Sequence, residues 1–140
     1  MADDVSAAAR FGAFDGTTSV AGILGAVGTH PALLLHPVIG LAVASAVGMG
    51  AGEWLSETKT RWPVVGIMAL ATLVGTILPA IPMLLFTGIA PVVVSVALGL
   101  VMALLIGRLR SRTQGVRAYG QTVSVLLAAT ALALLAGGSV

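Results

Sequence analysis

The chain has 140 residues, 58% of them hydrophobic and only 9% charged. A soluble domain of this length carries about 25% charged residues, so the composition excludes a water-covered globule and a soluble enzyme and requires lipid as the main solvent. Seven Lys and Arg against five Asp and Glu leave too little excess positive charge for nucleic acid, and the lack of cysteine excludes disulfides, thiolate metal sites and a cysteine nucleophile.

A spanning helix needs about 20 largely apolar residues. The sequence offers five such stretches, which predicts an all-α polytopic membrane protein with one domain over residues 1–140. The opening MADDVSAAAR has acids where a cleavable signal peptide has bases, so the first span, 11–29, is expected to be retained. If Asp15 capped a helix starting at Gly16, only 14 residues would remain before His30-Pro31, too few to cross a bilayer. The helix-compatible SAAARFGAF upstream favours a helix that starts earlier and carries Asp15 inside it.

His30-Pro31 and His36-Pro37 bracket the first expected turn, at a spacing that fits no standard metal site. The second span, 37–56, places Met49 and Glu53 one turn apart on one helix face. Residues Glu57 to Arg61 make the second turn, and Trp54 and Trp62 flank it as interfacial anchors. Pro79 and Pro82 interrupt the third span, 62–86, where they read either as a gate or as a plain kink. Thr87-Gly88 and Pro91 form the third turn, 91–107 the fourth span, Arg108 to Arg117 the fourth turn, and 119–137 the fifth span.

All seven basic residues then fall on one side: Arg10, Lys59, Arg61, Arg108, Arg110, Arg112 and Arg117. Under the positive-inside rule the N-terminus is expected in the cytoplasm and the C-terminus outside. The arginine-rich fourth turn acts as a topology signal or as a contact for anionic lipid. Gly12/Gly16, Gly48/Gly52 and Gly99/Ala103/Gly107 repeat small residues four apart, the spacing that lets helix backbones approach closely in lipid.

Asp3, Asp4 and Glu57 read as solvated, whereas Asp15 and Glu53 lie within spans, where a carboxylate is costly and is read as functional by default. In an antiparallel hairpin, Asp15 near the start of the first span and Glu53 near the end of the second are expected at one depth, with Met49 one turn away. Carboxylate oxygen with thioether sulfur suits a divalent transition metal that must bind and then leave. No phosphate-cradling loop, nucleophile elbow or zinc-helix signature occurs.

Four segments occur in order on this pattern. They are Phe14-Asp15-Gly16-Thr17-Thr18-Ser19, Gly48-Met49-Gly50-Ala51-Gly52-Glu53-Trp54-Leu55-Ser56, Gly75-Thr76-Ile77-Leu78-Pro79-Ala80-Ile81-Pro82 and Ile106-Gly107-Arg108-Leu109. Together they resemble the vacuolar iron transporter family, over nearly the whole chain. The resemblance implies export of Fe2+ or Mn2+ from the cytoplasm by proton antiport, a homodimer lining the path, and Asp15 and Met49 as pathway residues. It departs from the family in having only Glu57 to Arg61 where many members have an acid-rich cytoplasmic helical domain, and in Leu41 and Thr72 where some have an acid and an aromatic.

The expected protein is thus a metal:proton antiporter with Asp15, Met49 and Glu53 as its metal site and the transported ion as substrate, without a permanently bound cofactor. A bacterial cell membrane is its expected location. The alternative is a non-transporting membrane subunit that keeps the fold and serves other subunits of a larger complex.

Overall fold

The computed structural model describes residues 2–27, 31–56 and 61–137. Within them lie five helices and no strand: α1 (Ala2–Val27), α2 (Pro31–Ser56), α3 (Trp62–Leu85), α4 (Ile89–Gln114) and α5 (Val116–Gly137). Three segments, Leu33–Ser56, Trp62–Leu85 and Ala90–Arg112, are long and apolar enough to cross a membrane.

Several helices run past the limits expected from hydropathy. α1 begins at Ala2 rather than near residue 11, because Ala7, Ala8 and Ala9 are strong helix formers and Asp3 and Asp4 favour the positive end of the helix dipole. Asp15 is therefore inside a helix and does not cap one. α2 begins at Pro31 rather than Pro37; proline is well tolerated in a first turn, and Pro37 is carried inside the helix with His36 exposed beside it. His30, Glu57 and Lys59 lie outside the described residues.

α3 continues through both Pro79 and Pro82. α4 extends beyond residue 107 to Gln114, so Arg108, Arg110 and Arg112 ride on a helix instead of forming a loop. Basic side chains are favoured at a helix C-terminus and can stretch to water over apolar surface. The fourth turn contracts to Gly115, whose φ of 82° suits glycine and whose N–H donates to Ser111 O at 2.9 Å.

The helices alternate in direction. Asp4 and Arg61, 2.8 Å apart, join the starts of α1 and α3. The Arg10 guanidinium reaches Leu109 O at 3.3 Å, setting the start of α1 beside the end of α4. The described basic residues Arg10, Arg61, Arg108, Arg110, Arg112 and Arg117 thereby collect at one end of the bundle. At the other end, Val20, Leu34, Val38, Ala80 and Met83 form an apolar cluster.

α1 is the centre of this arrangement and packs against each of the other four helices. Its tightest partner is α3. A methyl group at Gly16 would meet the Thr72 carbonyl and lie 2.6 Å from Thr76 N; one at Gly75 would lie 2.5 Å from Ala13 O. A methyl at Gly12 would meet the Met68 carbonyl and Thr72 Oγ1, the latter at 2.9 Å. These glycines let two backbones touch where any side chain would hold them apart. Gly48 and Gly52 are different: both are exposed on α2, and added methyls there would meet nothing within 4 Å.

Candidate ion site around Asp15

Asp15 is partly buried on α1, in the middle of a segment whose neighbours Gly16 and Thr17 are buried against α3. Thr18 Oγ1 donates to the Asp15 carbonyl oxygen at 2.9 Å, which occupies the hydroxyl and leaves the carboxylate to other partners.

The faces of α1 turned to α3 and α4, away from the Asp15 side chain, carry hydroxyls. Pro79 has no N–H, so the Gly75 carbonyl four residues earlier lacks its ordinary helical donor. Thr17 Oγ1 reaches that carbonyl at 3.4 Å while donating to Ala13 O at 2.8 Å. The proline in α3 and the threonine in α1 are thus two halves of one feature. Thr72 and Thr76 turn their hydroxyls onto Met68 O at 2.9 Å and Thr72 O at 2.8 Å, a back-bonding that tends to bend a helix. Ser95 on α4 is 2% exposed, and its hydroxyl has no hydrogen-bond partner among the described residues. One turn further along α4, Gly99 faces the Thr17 methyl. Reasoning from the sequence singled out carboxylates and methionine but missed this layer of Thr17, Thr72, Thr76 and Ser95. The four-residue spacing of Thr72 and Thr76 in an otherwise apolar helix was the available signal.

α3 serves as a ruler for depth. Gly16 lies against Thr72 to Thr76, which sets Asp15 near Thr72, Leu73 and Val74. Gly50 lies against Val65 and Ala69, and Met49 borders the cluster of Ala8, Val64 and Met68. Met49 is therefore about five residues of α3 below Asp15, or roughly 7 Å at 1.5 Å per residue. Glu53, one turn further, is roughly 13 Å below it by the same measure.

Side chains lean toward the N-terminus of their own helix. Because α1 and α2 run in opposite directions, Asp15 leans down and Met49 leans up, each toward the other's level. Met49 packs beside Ala8, Val64 and Met68, two turns of α1 below Asp15, and Glu53 and Asp15 start too far apart to share an ion within one chain. The common depth expected for Asp15 and Glu53 fails because α1 begins at Ala2 and continues well below Asp15. Among the described residues, no three His, Cys, Asp or Glu groups come together. Comparison with family models, curated proteins and solved structures finds no match, so the family resemblance rests on the sequence motifs.

Proposed function

We propose that this chain is a five-span membrane transporter that exports a divalent transition metal, Fe2+ or Mn2+, from the cytoplasm in exchange for protons. The observation that carries the reading is Asp15, held within the helix that touches every other helix of the bundle. An ionisable residue in such a place faces the bundle interior and marks an ion path more often than it serves packing. A carboxylate can hold either a metal ion or a proton, so alternate loading of Asp15 supplies antiport without nucleotide.

One carboxylate and one thioether are too few ligands for a divalent ion. A homodimer through α2 would bring two Asp15–Met49 pairs together. The face of α2 carrying Gly40, Ala44, Gly48 and Gly52 is exposed and small at every fourth residue, as such a contact requires. Glu53, nearer the basic end, would meet the ion before Asp15 does.

Met49→Leu keeps side-chain volume but removes the sulfur. Transport of Fe2+ should fall about tenfold relative to transport of the hard ion Mg2+, measured in proteoliposomes at matched protein content. An equal effect on both ions would remove Met49 from the site. The gathering of basic residues at one end supports a cytoplasmic N-terminus and an outer C-terminus. A tag after Val140 should then be labelled only from outside the cell, and labelling from the cytoplasmic face would reverse the topology.

A further inference from the structure

A cavity of about 400 Å³ opens between α1, α4 and α5, on the side of α1 away from the Gly12–Gly16 crossing. Its polar wall is Arg10, Arg110 and Thr122; Phe11, Phe14 and Val125 supply apolar surface. The two guanidiniums come from different helices and are fixed in place, Arg10 by its bond to Leu109 O and Arg110 by one to Thr122 Oγ1, each at 3.3 Å. Phe11 and Val125 are more than half exposed and so face the surrounding lipid in a spanning bundle. Among the described residues, no acid lines the cavity.

Two arginines and a hydroxyl at the basic end of a membrane bundle, backed by apolar walls open to lipid, match one chemistry. We propose that this cavity binds the phosphate of an anionic phospholipid, with its acyl chain along Phe11, Phe14 and Val125. Arginine suits that ligand because its planar fork gives two parallel hydrogen bonds to phosphate oxygens. Basic pockets between helices at a membrane surface recognise lipid headgroups in this way. The inference rests on the membrane reading and is independent of the metal, since the cavity lies on a different face of α1 from Ala8 and Met49.

The test is lipid retention by the purified full-length chain, read by native mass spectrometry with phosphatidylglycerol and phosphatidylcholine of the same acyl chains. Wild type should retain phosphatidylglycerol about tenfold over phosphatidylcholine, the ratio expected from one charge-assisted hydrogen bond. Arg10→Gln with Arg110→Gln should abolish the preference, whereas Arg117→Gln, outside the cavity at the same end, should keep it. Val125→Trp fills the apolar limb without touching either arginine and should also reduce retention, so the test survives if the arginine variants misfold. An equal loss with Arg117→Gln, no preference in wild type, or unchanged retention in Val125→Trp would overturn the site. Displacement of phosphatidylglycerol by equimolar inorganic phosphate would assign the cavity to a free anion and overturn the lipid proposal.

Discussion

Asp15→Asn should abolish both metal flux and the proton movement that accompanies it, while leaving the protein folded. The amide keeps the size and shape of the carboxylate but can neither release a proton nor neutralise a divalent ion. Losing a charged ligand should lower flux by more than about 100-fold, since even supporting groups around a metal cost up to that much. The contacts that build the fold near this position do not need the carboxylate. Thr18 bonds the backbone carbonyl of Asp15, which asparagine retains, and the α1–α3 crossing is made by Gly12, Gly16 and Gly75. A carboxylate that served only structure would leave flux per folded molecule intact when neutralised. A structural acid and a transporting acid therefore give opposite flux results at matched protein levels. Unchanged flux in the variant would remove Asp15 from the mechanism.

Gly16→Leu should prevent α1 and α3 from docking. The new side chain would run into the Thr72 carbonyl and the Thr76 amide, which are backbone groups that cannot swing away. The cost should be roughly 3 kcal/mol or more, the upper end for overpacking, and should appear as loss of the folded form during thermal unfolding in detergent. Gly48→Leu is the matched control, because its position meets nothing within 4 Å in the single chain. That variant should unfold like wild type yet lose dimer, seen as reduced crosslinking and later elution. If Gly16→Leu melted like wild type, the close crossing would be wrong. If Gly48→Leu retained full association, α2 would not be the dimer face.

Much of the fold was legible from composition, because so few charges force long apolar helices and the charged or proline-bearing stretches fall near their ends. The helix ends were less legible. Hydropathy marks the apolar stretch, but a helix continues for as long as its residues favour it, as at Ala2 to Arg10 and Arg108 to Gln114. Pro37 looked like a turn residue because proline removes a helical hydrogen bond, yet α2 carries it in its interior.

The glycine pairs were visible as spacing, yet spacing could not separate Gly12 and Gly16, which meet α3 within the chain, from Gly48 and Gly52, which stay open. That difference depends on which helix arrives at each face. The depth of Asp15 relative to Met49 and Glu53 was hidden for the same reason. Helix register is set by packing, here by Gly16 against Thr72 to Thr76 and by Gly50 against Val65 and Ala69.

The most direct measurement is Mn2+ uptake by the wild-type protein in proteoliposomes containing a pH-sensitive dye, with an imposed proton gradient of either sign. Metal entry coupled to proton exit should change the internal pH in step with uptake, and reversing the proton gradient should reverse the direction of metal movement. Uptake without any pH response would contradict antiport, and no uptake by correctly inserted wild-type protein would contradict transport and favour the non-transporting membrane subunit.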